Sequence, residues 1–346
     1  MVRCPSFLSP VRAAVGPNLL ATTSAPAGAG SVLGMAPLLG GVYLGWALGA
    51  NDAANVFGTA VSSRMIRFRT AVILGSVFVM LGAFFGGAGG MKTLQGLSAT
   101  SGLWPAFVVT VAAAAIVTVM TTLKLPVSTS QGVVGAILGA GLAMNPDNVH
   151  WSVLGKVVTA WVSAPIGGAM IAMVLYPLGG RLLDALKLGL VRRSQVLKAA
   201  LIVSGSYGAY ALGANNVANV VGVFYGSAPF GTNAHAWALL GGATITLGII
   251  TYSKRVMFTV GKSLVQLDAF SALVAVLSQG TTVLILAFVG VPVSTSTAIV
   301  GAVLGIGIVN GVKTINLRTL GRIVSGWVST PLLAGALSYA LAWAFL

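Results

Sequence analysis

The sequence predicts an all-α, polytopic membrane protein made of two inverted-topology repeats with broken helices and re-entrant half-helices. Three observations lead to this fold class: extreme apolarity, apolar segments along the whole chain, and a set of motifs that occurs twice. Of the 346 residues, 57% are apolar and only 7% are charged, against roughly 25% charged in soluble domains. The apolar segments are about 16 to 25 residues long, which suits membrane helices better than the short alternating strands of a β-barrel.

The net charge of +15 reflects a shortage of acids and does not indicate nucleic acid as a partner. The 19 Lys and Arg residues are opposed by four acids, Asp52, Asp147, Asp184 and Asp268, and by no Glu. Most of the bases lie in short loops between apolar segments, as expected for loops on the cytoplasmic side of a lipid bilayer. The single cysteine, Cys4, excludes an intrachain disulfide and a cysteine-based metal site.

The chain divides into four predicted parts. Residues 1–31, rich in Pro, Ala, Ser and Gly, are expected to form a disordered N-terminal lead; a cleaved signal peptide and a true start at Met35 are alternatives. A first transport repeat (32–178) and a second, inverted one (198–346) are joined by a cytoplasmic linker (179–197). Each repeat holds five apolar segments, at 33–61, 70–90, 104–125, 128–144 and 151–178, and at 198–225, 235–252, 266–289, 294–309 and 319–345.

Three motifs recur in the same order in both halves, and this indicates an internal duplication. Gly-Ala-Asn-Asp-Ala-Ala-Asn-Val at 49–56 is repeated as Gly-Ala-Asn-Asn-Val-Ala-Asn-Val at 213–220. Pro-Val-Ser-Thr-Ser occurs at 126–130 and at 292–296, each time ahead of a Gly-rich apolar run. Trp-Val-Ser-Ala-Pro at 161–165 matches Trp-Val-Ser-Thr-Pro at 327–331.

An odd number of crossings in each half inverts the second half relative to the first. Alternating the loops places fifteen Lys and Arg inside and two, Lys92 and Lys156, outside. This distribution predicts that both termini lie outside. Segments 128–144 and 294–309 are short for a crossing of about 20 residues. They either cross as short helices or form re-entrant hairpins with the segments before them, which leaves the side of the other loops unchanged.

The Gly-Ala-Asn motifs predict a cation site. Asn and Asp compete for backbone hydrogen bonds, so we expect each motif to interrupt its helix. Asp52 is an acid within an apolar segment, which is typical of a functional site, although a helix cap near the membrane interface is the alternative. Carboxylate and amide oxygens suit alkali or alkaline-earth cations or a proton. The predicted coupling-ion residues are Asn51, Asp52, Asn55, Asn215, Asn216 and Asn219, with Asp52, Asn51 and Asn215 as the ligands if the ion is Na+.

The Pro-Val-Ser-Thr-Ser stretches predict the starts of two helices. Ser or Thr ahead of an apolar run is typical of an N-cap. A helix N-terminus offers N–H groups and hydroxyls to an oxyanion, whereas an ordinary capped membrane helix is the simpler interpretation of one copy alone. Two copies in a duplicated frame favour a site. The predicted anion-binding residues are Ser128, Thr129, Ser130, Gln131, Ser294, Thr295 and Ser296.

Discontinuous helices in inverted repeats are typical of secondary transporters, and an ion channel is the alternative. No His, Cys or pair of acids is spaced for acid–base or nucleophilic chemistry, so an enzyme is not predicted. At these motifs the sequence resembles the inorganic phosphate transporter (PiT, PHO4-like) family over residues 35–346. The resemblance implies a symporter without an organic cofactor that imports inorganic phosphate with Na+ or H+, as a homodimer in the inner (plasma) membrane.

The chain departs from the family pattern at several positions. Asn216 stands where most members have a second Asp, and Val79 and Val276 lie near positions where many members have Glu. The Asn-Asn-Val-Ala-Asn motif and Lys92-Thr93 are similar to the sulfate-permease branch of the family. Sulfate is therefore the alternative substrate.

Overall fold

The computed structural model describes residues 32–97, 102–123, 127–263, 267–311 and 317–346. The predicted lead at 1–31, together with Lys124 and Pro126, lies outside these residues. The chain divides into a short leading unit, Met1–Ala36, and a body, Pro37–Leu346. In the leading unit a 3-10 helix spans Val32–Met35. All regular secondary structure in the described part of the body is helical, so the predicted all-α class is confirmed.

Within the described residues, each half of the body contributes six α-helices. In the first half they are α1 (Leu38–Ser62), α2 (Phe68–Gly86), α3 (Ala88–Leu97), α4 (Leu103–Thr122), α5 (Thr129–Met144) and α6 (Trp151–Ala185). In the second half they are α7 (Leu190–Val221), α8 (Ala234–Thr251), α9 (Ser253–Ser263), α10 (Ala269–Phe288), α11 (Thr295–Val309) and α12 (Leu317–Phe345). Short 3-10 turns lie at Pro146–Asn148 and Gly222–Phe224. The short helices α3 and α9 were not expected from the sequence.

The Gly-Ala-Asn motifs do not interrupt their helices, and this part of the sequence prediction is wrong. Helices α1 and α7 run through residues 49–56 and 213–220 without a break. The polar side chains bond to one another and to the other half instead of to their own backbone, so the helical ladder survives. The real interruptions are those between α4 and α5 and between α10 and α11. The helices also extend into the predicted linker, since α6 ends at Ala185 and α7 begins at Leu190.

Seven helices of the described chain are long and apolar enough to cross a membrane: α2, α4, α6, α7, α8, α10 and, from Leu320, α12. Helix α1 has 25 residues but its polar motif lowers its mean hydropathy. Helices α5 and α11 have 16 and 15 residues, or about 24 and 22 Å at 1.5 Å per residue. Both are shorter than the hydrocarbon core of about 30 Å, in keeping with half-helices.

The two halves are intertwined through equivalent contacts. Helix α5 packs on α12 and α11 packs on α6, just as α1 packs on α8 and α7 on α2. A β-carbon at Gly135 would collide with the carbonyl oxygen of Pro331, and one at Gly301 would collide with that of Pro165. The duplicated glycine run of each half therefore fits against the duplicated proline of the other half, where small residues allow helices to approach closely.

Burial separates an inner group of helices from an outer one. In the membrane-length windows of α4, α7 and α10, 56% of the residues are buried, against 28% in α6 and 22% in α12. Helix α4 packs on α1 and α5, and α10 packs on α7 and α11. The inner helices therefore adjoin the helices that carry the Gly-Ala-Asn motifs and the two short helices. The outer helices present Leu, Ile and Val side chains such as Ile166, Leu178 and Leu332 at the surface, as expected for faces in contact with lipid.

Candidate functional site

The glycine that opens each Gly-Ala-Asn motif brings the motif into the centre of the body. A β-carbon at Gly49 would collide with the carbonyl oxygen of Ile245 in α8, and one at Gly213 would collide with that of Val79 in α2. Because neither position has a side chain, α1 and α7 each lie directly against a helix of the other half. The polar residues that follow these glycines then face one another.

Asp52 lies at the centre of the site with 3% of its surface exposed. Its Oδ1 accepts a hydrogen bond from Asn51 Nδ2 at 2.9 Å. Its Oδ2 accepts from Asn216 Nδ2 at 2.7 Å and from Thr295 Oγ1 at 3.1 Å. Within the described part of the chain no Lys or Arg forms an ion pair with this carboxylate. Asp52 is thus a buried charge surrounded by neutral donors.

The three asparagines of the second motif continue the network. Asn216 Oδ1 accepts from Asn215 Nδ2 at 2.5 Å and from Asn219 Nδ2 at 3.4 Å. Asn215 also holds the residue that precedes the second Ser-Thr-Ser run: its Nδ2 donates to the Val293 carbonyl at 2.6 Å and its Oδ1 accepts from Val293 N–H at 2.9 Å. Asn219 Nδ2 reaches the other half and donates to Ser130 Oγ at 2.8 Å.

The two Ser-Thr-Ser runs meet in a reciprocal pair of hydrogen bonds. Ser130 Oγ of the first run donates to the carbonyl of Val293 at 2.8 Å. Ser296 Oγ of the second run donates to the carbonyl of Val127 at 3.1 Å. Since 130 and 296, and likewise 127 and 293, are equivalent positions of the duplication, the contact follows the pseudo-two-fold relation between the halves. It satisfies carbonyls that lie outside any helix.

Helices α5 and α11 begin at the predicted N-caps. Ser128 Oγ accepts from Gln131 N–H at 3.4 Å, and Ser294 Oγ accepts from Thr297 N–H at 3.2 Å. Both caps have extended backbone, as an N-cap requires. The positive ends of two short helices therefore point into the region that contains Asp52.

Most of the residues expected at the site are brought into one hydrogen-bonded cluster. It contains Asn51, Asp52, Asn215, Asn216, Asn219, Ser130 and Thr295. Ser296 lies beside it, bonded to the Val127 carbonyl and to Ser294 Oγ, and Ser128 and Ser294 are the caps. Among the described residues, Asn55 Nδ2, Thr129 Oγ1 and Gln131 Oε1 are buried without a partner. Of the other acids, Asp268 is exposed and caps α10 by accepting from Phe270 and Ser271 N–H.

Sequence reasoning missed two contributions to the site. Thr121, near the end of α4, donates its hydroxyl to Asn51 Oδ1 at 3.3 Å; nothing in its sequence context sets it apart from other threonines. The carbonyls of Val127 and Val293 accept the reciprocal serine bonds. The sequence signal that could have indicated them is their position between Pro and Ser in both copies of the motif.

A family of known proteins matches both halves of the chain. The model of a phosphate transporter family matches residues 48–192 and 185–338, so each match contains one Gly-Ala-Asn motif and one Ser-Thr-Ser run. The chain belongs to the phosphate transporter family. Members of this family are transporters, and the duplicated family match agrees with the two repeats of the fold.

Individual relatives of this phosphate transporter family member cover nearly the whole chain. Two of them carry the name "Putative phosphate permease": one from Methanocaldococcus jannaschii is 31% identical, over 84% of this chain and 91% of its own length, and one from Pyrococcus furiosus is 29% identical, over 87% and 93%. A solved structure described as the sodium-dependent phosphate transporter superposes with a TM-score of 0.77 at 26% identity, over 89% of this chain and 97% of that one.

Proposed function

We propose that this protein is a secondary active symporter that imports inorganic phosphate together with Na+. The observation that carries the proposal is the buried Asp52 carboxylate, which lies at the junction of the two halves beside the start of α11 and has only neutral donors among its described partners. The site thus combines a fixed negative charge with helix ends that attract anions. A cation bound at Asp52 would neutralise the carboxylate and so allow an anion to bind nearby.

The reason for coupling is electrostatic. An anion bound about two hydrogen-bond lengths from Asp52 would lie roughly 6 Å from the carboxylate. At an effective dielectric constant of about 20, two like unit charges at that separation repel by about 3 kcal/mol. This repulsion weakens anion binding about a hundredfold. A Na+ ion bound at Asp52 removes most of the penalty, so the cation and the anion bind together.

The proposed roles follow the two kinds of residue. Asp52 supplies the charge for Na+, with amide oxygens of the surrounding asparagines as neutral ligands, in keeping with the preference of hard cations for oxygen. Ser and Thr donors at the start of α5 bind phosphate, while Thr295 at the start of α11 already donates to Asp52. The amide of Asn215 is already bonded to both polar groups of the Val293 backbone, so its main role is to hold the chain between α10 and α11.

The comparisons support Na+ as the ion and phosphate as the substrate. The family is described by phosphate transport, and the solved relative is described as sodium-dependent. That relative is similar in fold over most of both chains. We therefore place Na+ ahead of H+ and phosphate ahead of sulfate.

The test is uptake of radiolabelled anion into proteoliposomes with Na+ and H+ gradients imposed separately. The expected result is phosphate accumulation above the external concentration when Na+ is high outside, and no accumulation without an ion gradient. Accumulation driven only by H+ would assign the proton as the coupling ion. Uptake that never exceeds equilibrium would indicate a channel, which can only run down a gradient, and would refute the symporter.

We further propose that the protein lies in the inner (plasma) membrane as a homodimer, as the family resemblance implies. We propose that both termini are outside, because Lys and Arg are concentrated in alternate loops. A cysteine added after Leu346 in a Cys4→Ser background should react with a membrane-impermeant maleimide in intact cells. Labelling only after cell lysis would reverse the orientation. Light scattering of the detergent-purified protein should give twice the mass of one chain, and a single-chain mass would contradict the dimer.

A further inference from the structure

The pseudo-symmetric site is unequal, and we propose that the anion binds at the start of α5 alone, in a protonated form that donates a hydrogen bond to Gln131 and Asn219. This inference rests on the proposed phosphate transport and specifies where and in which form the anion binds. It also makes Gln131 and Asn219 the residues that distinguish phosphate from sulfate.

The start of α11 is occupied by a group of the protein itself. Thr295, the first residue of α11, donates its hydroxyl to Asp52 Oδ2 at 3.1 Å. Thr297 is also paired, because its hydroxyl donates to the Ser294 carbonyl at 2.8 Å. A carboxylate beside the positive end of a helix is a favourable arrangement. Asp52 therefore takes the position that an anion would need at α11.

The start of α5 is different because the residue equivalent to Asp52 is the neutral Asn216. Thr129, equivalent to Thr295, is 2% exposed and its hydroxyl has no partner among the described residues. Asn216 uses its Nδ2 on Asp52 and its Oδ1 on Asn215 and Asn219. Asn216 carries no negative charge that could interact with the positive end of α5. The start of α5 thus offers a buried, unpaired hydroxyl donor to an external anion.

Two buried acceptors lie at the same helix start. Gln131 is 5% exposed and its Oε1 has no partner within the described part of the chain. Asn219 is fully buried, its Nδ2 is fixed on Ser130 of α5, and its Oδ1 is likewise unpartnered there. The counterparts at α11 differ: Thr297 replaces Gln131 and its hydroxyl is paired, and Asn55, the counterpart of Asn219, is only partly buried and its buried unpaired atom is the donor Nδ2.

This set of groups fits an oxyanion that also carries a proton. Thr129 can donate to a charged oxygen, while the carbonyl oxygens of Gln131 and Asn219 can accept from an acidic hydroxyl. Near neutral pH inorganic phosphate carries at least one such proton and sulfate carries none. A buried acceptor left unpaired costs about 1–3 kcal/mol. Sulfate leaves both acceptors unpaired, whereas phosphate pairs one of them in its monohydrogen form and both in its dihydrogen form.

The experiment compares variants at equivalent positions, reconstituted in equal amounts. Thr129→Val should raise the apparent KM for phosphate about tenfold, because it removes a hydrogen bond to a charged group. Thr295→Val should instead shift the Na+ concentration at half-maximal uptake, since it removes a donor from Asp52. Thr129→Ser keeps the hydroxyl and should restore the phosphate KM. Equal effects of the two valine variants on the phosphate KM would overturn the one-sided site.

The specificity arm uses Gln131→Met, which keeps the size of the side chain but removes its acceptor. It should reduce the ratio of phosphate uptake to sulfate uptake about tenfold, mainly by relieving the penalty on sulfate. Thr297→Val at the equivalent position is the control and should leave the ratio unchanged. An unchanged ratio in Gln131→Met would overturn this inference. Wild-type uptake of sulfate alone, or of neither anion, would instead refute the proposed function.

Discussion

Asp52→Asn tests the electrostatic basis of coupling most directly. The substitution keeps the shape of the side chain and leaves an oxygen that can accept from Asn216 and Thr295, but it removes the buried charge. The repulsion of about 3 kcal/mol between the carboxylate and an anion roughly 6 Å away disappears with it. We therefore expect that Na+ improves the apparent KM for phosphate by up to about a hundredfold in the wild type and by no more than a few-fold in Asp52→Asn.

The assay is initial-rate phosphate uptake in proteoliposomes at a series of Na+ concentrations, followed by a measurement of accumulation at steady state. Concentrative uptake should be lost in Asp52→Asn because anion binding no longer requires the ion. Asp268→Asn is the matched control, since Asp268 is an exposed N-cap of α10 and Asn caps helices equally well. If Asp52→Asn retains the full Na+ effect on KM, the electrostatic account is wrong.

Three further predictions concern the scaffold of the site. Ser294→Ala removes the N-cap of α11 and should lower the free energy of unfolding by about 1 kcal/mol, seen as a lower midpoint of thermal unfolding in detergent; an unchanged midpoint would show that the cap adds no stability. Gly301→Leu forces a side chain into the Pro165 backbone and should abolish recovery of monodisperse protein in size-exclusion chromatography, whereas Gly155→Ala, at a glycine with open space around it, should behave as the wild type. Asn215→Ala removes both bonds to the Val293 backbone and should speed hydrogen exchange of the Val293 amide; exchange at the wild-type rate would contradict its holding role.

The fold class was accessible from the sequence because it depends on local signals. Apolar segment length, the short segments at 128–144 and 294–309, and the repeated motifs are all properties of contiguous residues. The Ser-Thr-Ser caps were predicted for the same reason, since an N-cap bond spans only three residues. The continuous helices through the Gly-Ala-Asn motifs were mispredicted because the Asn and Asp side chains find partners in the other half, such as Asn216 for Asp52. With those partners, the side chains do not compete for the hydrogen bonds of their own helix backbone.

The sequence alone determined that this is a duplicated helical membrane protein and which polar residues interrupt its apolar segments. Only the tertiary structure shows which of those residues pair with one another and which are left without a partner. Asp52 and Asn216 differ by a single group, yet only their packing shows that the carboxylate lies at the start of α11. At the start of α5, the Thr129 hydroxyl and the side-chain carbonyl oxygens of Gln131 and Asn219 have no partner among the described residues. Pairing across 164 or more residues depends on how the two halves interlock, and no local pattern encodes it.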